Sequence, residues 1–203
     1  MKTKRNIIIA LAFFLCANAF AQSSAQARKV LDRAAAIVGS RSGAAASFSI
    51  SGGAMGRTTG NIAIKGNKFK ATTPQATIWF DGKTQWSYMK STNEVNISTP
   101  NEAQRMSLNP YAFISMYRNG YNISMKTKGN TYVVHLKAMH PARSVQEFYI
   151  TLSKSYHPKI VKLLQGKKWV TIYINNFRTA AQPDSLFRFS RSNAPSAEII
   201  DLR

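Results

Sequence analysis

Between residues 23 and 38 the apolar side chains recur every three or four positions. Val30, Leu31, Ala34, Ile37 and Val38 share one face, with Arg28, Lys29, Asp32 and Arg33 opposite. This spacing predicts an amphipathic helix, and Gly39 supplies its stop. Beyond it the period falls to two. Phe48 and Ile50 alternate with serines, Ile62 and Ile64 with Asn61, Ala63 and Lys65, and a third strand carries Phe69. Thr77-Ile78-Trp79-Phe80, then Asp81-Gly82, then 84–88 predict a hairpin. Asp-Gly suits a type I′ turn, whose two central residues both take positive φ. Val95 and Ile97 mark another short strand.

Residues 99–119 break this alternation. Thr99-Pro100-Asn101-Glu102 reads as a capping box with proline in the first helical position. Asn109-Pro110 opens a second helix over 111–118, with Gly120 as its stop. Its Tyr111, Phe113, Ile114, Met116 and Tyr117 cover most of the circumference, so other parts of the fold must cover it. Strand signals resume at 121–125, 131–136 (after a Gly129-Asn130 turn) and 145–152. His157-Pro158 turns the chain into 160–164, and Gly166-Lys167 turns it into the long run 169–177. A last strand is expected at 187–189, before a tail ending in Ile199-Ile200-Asp201-Leu202-Arg203. About ten strands joined by tight turns predict an antiparallel meander rather than alternating β and α units.

The N-terminus changes the picture. Lys2, Lys4 and Arg5 precede an uncharged apolar run over 7–16, and Ala19-Phe20-Ala21 supplies a small-x-small cleavage pattern. Residues 1–21 therefore read as a secretory signal, cut after Ala21, because the run is too short to span a bilayer. Acylation at Cys16 is the rival, but Phe13-Phe14-Leu15 stand where that processing needs a small residue. Cut after Ala21, the chain has no cysteine, and residues 22–203 form one expected domain of 182 residues. That length supports a sizeable core without disulfide staples. Once the three signal cations are removed, 25 Lys and Arg face 8 acids, a net charge of +17. In an exported protein such an excess points to anionic membrane surfaces or acidic partners rather than nucleic acid, with solubility alone as the plain alternative.

Catalytic and metal-site patterns are sparse. His135 falls in a strand, His140 before Pro141 and His157 before Pro158, and none has a partner at metal-ligand spacing. Asp81 is a turn former and Glu102 a helix cap, while Glu94, Glu147, Asp184 and Asp201 are dispersed along the chain. No glycine-rich phosphate loop or nucleophile elbow occurs in the sequence. The expectation is a protein that is no enzyme and takes no cofactor or metal. What the sequence does carry is aromatic and methionine surface, from Trp79, Phe80, Trp86, Tyr88 and Met89 to Tyr111, Phe113, Met116 and Met125. A curved sheet closed by helices makes either a packed core or an apolar pocket from such residues.

A family resemblance gives this a direction. Gly60-Asn61-Ile62-Ala63-Ile64-Lys65-Gly66-Asn67-Lys68-Phe69-Lys70 and Asp81-Gly82-Lys83-Thr84-Gln85-Trp86-Ser87-Tyr88 resemble the signature of the periplasmic outer-membrane lipoprotein carriers (LolA-like). Asp184-Ser185-Leu186-Phe187-Arg188-Phe189 is similar to that family's closing D-x-x-F-x-F segment. Asn93-Glu94-Val95 and Asn109-Pro110-Tyr111-Ala112-Phe113 stand where the family has a strand and a lid helix. The resemblance implies a mostly-β fold, a strongly curved and incomplete antiparallel barrel with an N-terminal helix and a helical lid. It implies a carrier that moves acylated lipoproteins from the inner to the outer membrane. Its partners would be a lipoprotein-releasing transporter and an outer-membrane acceptor, with transient anionic membrane contact and a monomeric state. The alternative is a lipid-binding or membrane-surface protein of the same fold without lipoprotein cargo. On this reading Ile62, Ile64, Phe69, Ile78, Phe80, Trp86, Tyr88, Val95 and Ile97 line the cavity, and Tyr111, Phe113, Ile114, Met116 and Tyr117 form the lid. One departure stands out. The family's arginine after the strand lysine is missing, since Gly66-Asn67 follow Lys65, which leaves Lys65 or Lys68 as the nearest cations.

Overall fold

A computed structural model describes residues 23–53, 56–100, 116–143 and 145–203. The expected signal segment and residues 101–115 lie outside the described residues, and with them Tyr111, Phe113 and Ile114. The expected N-terminal helix is present over 23–38 (α1). It buries Ala27, Val30, Leu31, Ala34, Ala35 and Val38, while Lys29, Asp32 and Arg33 stay outside the core. Ile37, expected on the buried face, is only half-buried.

Twelve strands follow: β1 (Ala44–Gly52), β2 (Arg57–Lys65), β3 (Lys68–Thr72), β4 (Ala76–Phe80), β5 (Gln85–Met89), β6 (Glu94–Ser98), β7 (Tyr121–Lys128), β8 (Thr131–Ala138), β9 (Glu147–Ser153), β10 (Pro158–Gln165), β11 (Lys168–Thr179) and β12 (Glu198–Asp201). They form one sheet in the order β12-β6-β5-β4-β3-β2-β1-β11-β10-β9-β8-β7. Two meanders, β1–β6 and β7–β11, are joined by the antiparallel pairing of β1 with β11. The sheet is curved and open, because β12 and β7 stand at its two ends without pairing to each other.

Three details differ from the sequence expectation. The 81–84 connection is not a type I′ turn. Gly82 has φ of 101°, but Asp81 is not in the positive-φ region, and Phe80 pairs with Gln85 across a four-residue loop. The Asp81 side chain shapes that loop by accepting hydrogen bonds from the backbone N–H groups of Lys83 (3.0 Å) and Thr84 (2.8 Å). Next, residues 184–187 form a short 3₁₀ helix, and no strand runs over 187–189. Finally, the tail supplies β12, which pairs in parallel with β6, placing Ile199 beside Val95 and Asp201 beside Ile97. Strand alternation cannot foresee a parallel partner so far along the chain.

Elsewhere the turns behave as their glycines require. Gly66, Gly129 and Gly166 hold φ of 58°, 53° and 60° at the first position of two-residue connections, where an L side chain would be strained.

Side-chain register defines two faces. Ala46, Ile62, Ile64, Phe69, Phe80, Val134, Leu136, Phe148, Ile150, Val161 and Val170 share one face and form one core with α1. We call this the inner face. The buried area comes mainly from aliphatic strand residues meeting an alanine-rich helix, so close packing rather than polar pairing holds this layer.

Candidate apolar binding site

The structure divides the nine residues expected to line one cavity. Ile62, Ile64, Phe69 and Phe80 are buried in the main core, and Ile78 packs half-buried against it. Register fixes the other four on the opposite side. Trp79 pairs with Trp86, Trp86 with Ile97, and Tyr88 with Val95, all out of step with Phe80 and Ile78. Trp86, Tyr88, Val95 and Ile97 therefore point to the outer face, and the first three form a second apolar cluster with Phe189, Ala194 and Ala197. At β5 and β6 the inner face is polar instead, carrying Gln85, Ser87, Asn96 and Ser98. This hairpin thus turns Trp79, Trp86 and Tyr88 away from the main core, while Phe80 enters it.

A clasp explains this arrangement. Residues 184–197 cover the outer face of β3–β6, and β12 then extends the sheet beyond β6. Phe187 is wholly buried, and Phe189 meets Trp79 edge-on at 5.5 Å between ring centroids. Asp184 pairs with Lys65 (2.9 Å) and Lys68 (3.3 Å), and those lysines hold its carboxyl below its ordinary range. Lys65 also donates to the carbonyl of Gln182 at 3.0 Å. The two lysines nearest the missing arginine are therefore committed to the tail.

Arg188 pairs with Asp81 at 3.1 Å. Burial raises the Asp81 carboxyl, but the N–H donors of Thr84 and Lys83, together with Arg188, bring it below its ordinary value. Asn93, held at φ of 56°, accepts a hydrogen bond from the Tyr88 hydroxyl (3.1 Å) and donates to the Ser196 carbonyl (3.0 Å). The closing Asp-x-x-Phe-x-Phe segment is a structural fastening for the outer face.

The inner face carries what the sequence reading missed. Phe48 pairs with Ile174 and Ile50 with Ile172, so β1 and β11 set four apolar side chains side by side. Gly60 lies opposite Phe48, and the row Ala46, Ile62, Ala71, Ile78 continues across β1–β4. Phe48, Ile50, Ala71, Ile78, Ile172 and Ile174 all touch the main core yet stay only half-buried. A half-covered apolar strip next to a sealed core can take an apolar ligand. The signal was present, since Phe48 and Ile50 alternate with serines and Ile172 and Ile174 sit in a long β run. Pairing between distant parts of the chain was needed to join them.

Of the expected lid residues, Met116 and Tyr117 are described, buried in the main core within a 3₁₀ turn (Met116–Arg118). The Tyr117 hydroxyl donates to Asp32 of α1, and Arg28 donates to the Tyr117 carbonyl at 3.4 Å. Burial, with the Asp32 carboxylate behind it, pushes the Tyr117 phenol up. The 3₁₀ turn is thereby fixed to α1.

Two shallow grooves, about 490 and 450 Å³, lie across β1 and β2 beside Pro74. Ser47, Ser49, Thr59 and Asn61 line the first together with Phe48, and Ser49, Thr58 and Thr59 line the second together with Ile50, so both grooves border the apolar strip. Among the described residues, no group of three or more His, Cys, Asp or Glu side chains stands ready to hold a metal, and no helix is long and apolar enough to cross a membrane.

With this geometry in place, comparison decides the family. The sequence profile of the outer membrane lipoprotein carrier protein LolA matches residues 17–167. The chain belongs to that family. An uncharacterized conserved protein from Thermus thermophilus shares its fold, with a TM-score of 0.59 at 11% identity over 87% of this chain and 99% of that one. A LolA superfamily protein from Nitrosomonas europaea superposes with a TM-score of 0.46 at 11% identity, over 80% and 97% of the two chains. No curated protein matches the chain in sequence. Within the LolA family this chain keeps the curved mostly-β sheet and its N-terminal helix.

Proposed function

We propose that this LolA-family chain is an extracytoplasmic carrier, one domain over 22–203, that shelters the acyl chains of lipoproteins between inner and outer membranes. The observation that carries the reading is the half-covered strip of Phe48, Ile50, Ile78, Ile172 and Ile174 on the inner face, bordering α1. Each methylene moved from water to such a surface is worth about 0.8 kcal/mol, so about ten of them contribute about 8 kcal/mol. Ala27, Ala34 and Ala35 on the α1 face leave little side-chain bulk to displace when the space widens. Ile62, Ile64, Phe69 and Phe80 form the deeper wall. The lid role falls to Tyr111, Phe113 and Ile114, followed by the anchored Met116 and Tyr117.

A releasing transporter in the inner membrane and an acceptor at the outer membrane complete the cycle, with the chain acting as a monomer and carrying out no chemistry. The family description, a carrier of outer-membrane lipoproteins, supports this. Titration with an environment-sensitive apolar dye tests it. Dye fluorescence should rise on binding, an acylated peptide should displace the dye, and the same peptide without its acyl chain should not. Ile172→Asn, which puts an amide into the strip, should weaken uptake at least tenfold. Equal displacement by both peptides, or unchanged uptake in Ile172→Asn, would reject the acyl-chain site.

A further inference from the structure

The basic charge of the chain is unevenly distributed. Residues 116–179 contain eleven Lys and Arg and a single acid, Glu147, whereas the rest of 22–203 has fourteen against seven. Register decides where the strand cations point. Lys126 and Lys128 on β7, Lys137 on β8 and Lys162 on β10 are out of step with the buried Ile123, Leu136 and Val161 and project from the outer face. All four are exposed.

The lone acid is already engaged. Glu147 lies 2.8 Å from His135 Nε2, accepts the Tyr149 hydroxyl at 2.9 Å, and stands across the ladder from Lys137. Rings are interleaved with the lysines: His135 stacks on Tyr149 at 4.4 Å, Tyr149 meets Trp169 at 5.9 Å, and Lys162 Nζ sits 4.6 Å from the Trp169 ring. Tyr173, 45% exposed, extends the aromatic row on β11.

We infer that the outer face of β7–β11 is a docking surface for an anionic phospholipid bilayer. The charge is complementary, and lysines spread over several strands, with Glu147 beside Lys137 as the one acid of residues 116–179, suit a broad charged plane. Tyrosine and tryptophan rings with one polar end are suited to the headgroup layer. The choice of a bilayer over nucleic acid rests on the proposed extracytoplasmic location. This face is opposite the apolar strip, so a docked molecule keeps its inner face free to exchange an acyl chain.

Co-sedimentation of residues 22–203 with vesicles tests the inference. The vesicles are phosphatidylcholine mixed with phosphatidylglycerol, compared with pure phosphatidylcholine. Binding is expected to the mixed vesicles alone and to be lost near about 0.5 M salt. Each of Lys126→Gln, Lys128→Gln, Lys137→Gln and Lys162→Gln should weaken it about fivefold, and the four together more than about a hundredfold. A control set with equal charge loss, Lys29→Gln, Arg41→Gln, Lys83→Gln and Arg191→Gln, should change it far less.

Equal losses in both sets would reduce the effect to net charge and overturn the assignment of a face. Binding to duplex DNA as tight as to mixed vesicles, or equal binding to neutral vesicles, would overturn the lipid assignment. Dye uptake in the inner strip, measured on the same variants without vesicles, separates this result from the carrier reading.

Discussion

Replacing Phe187 with alanine should release the tail clasp while sparing the inner face. The ring is wholly buried in the 3₁₀ turn packed against β3, and it anchors the segment whose Phe189, Ala194 and Ala197 cover Trp79 and Val95. Truncating a fully enclosed phenylalanine costs about 3–5 kcal/mol, combining lost transfer energy with the cavity left behind. The flanking Asp184 pairs with Lys65 and Lys68 are open to solvent and cannot make up that loss. A domain typically has about 5–15 kcal/mol of stability, so the variant should fold but lose a large fraction of its margin. With a urea m-value of about 2 kcal/mol per molar, the unfolding midpoint should fall by about 2 M. Emission from Trp79 and Trp86, both under the tail, should shift to the red, and amide exchange should accelerate in β12 and β6. Dye uptake by the folded variant should persist, because the truncated ring lies on the outer side. A loss below about 1 kcal/mol with unchanged emission, or a loss of dye uptake while the protein stays folded, would refute the two-face assignment.

Other predictions follow from single contacts. Gly60→Ala would place a Cβ 2.4 Å from the Thr72 carbonyl oxygen and 2.5 Å from Phe48 Cζ, so thermal melting should show a loss of about 1–3 kcal/mol together with altered dye affinity. Tyr117→Phe removes the hydroxyl that donates to Asp32, and chemical denaturation should register about 0.5–1.5 kcal/mol. Acid should weaken the fold in a defined direction. Asp81 and Glu147 are both held below their ordinary values, so their stabilisation is complete above the unfolded values near about pH 4 and is lost as pH falls through the lower folded ones. Asp81→Asn should flatten that acid limb in a pH series of melting temperatures, and an unchanged limb would count against the assignment.

Much of this fold is legible in the sequence because its determinants are local. The α1 stripe, the alternation at Phe48, Ile62 and Phe69, and the glycine turns at 66, 129 and 166 each depend on residues a few positions apart. Which face of each strand is concave depends on pairing, and alternation alone is symmetric between the two sides. Trp86 and Tyr88 looked like cavity lining because they are large and apolar. They face out because Ala194, Ala197 and Phe189 arrive from the far end of the chain to cover them. The type I′ expectation at Asp81-Gly82 failed for a local reason, since the Asp81 carboxylate captures two backbone donors and widens the loop. Phe48, Ile50, Ile172 and Ile174 became a candidate site only when β1 met β11.

The central claim is that an acyl chain occupies the inner face, and native mass spectrometry of the protein isolated from its own envelope tests it most directly. The account predicts one acylated polypeptide per chain, released intact when the protein is denatured, and lost when Ile172 is replaced by asparagine. Protein recovered empty, and still empty after incubation with an acylated peptide, would contradict the account.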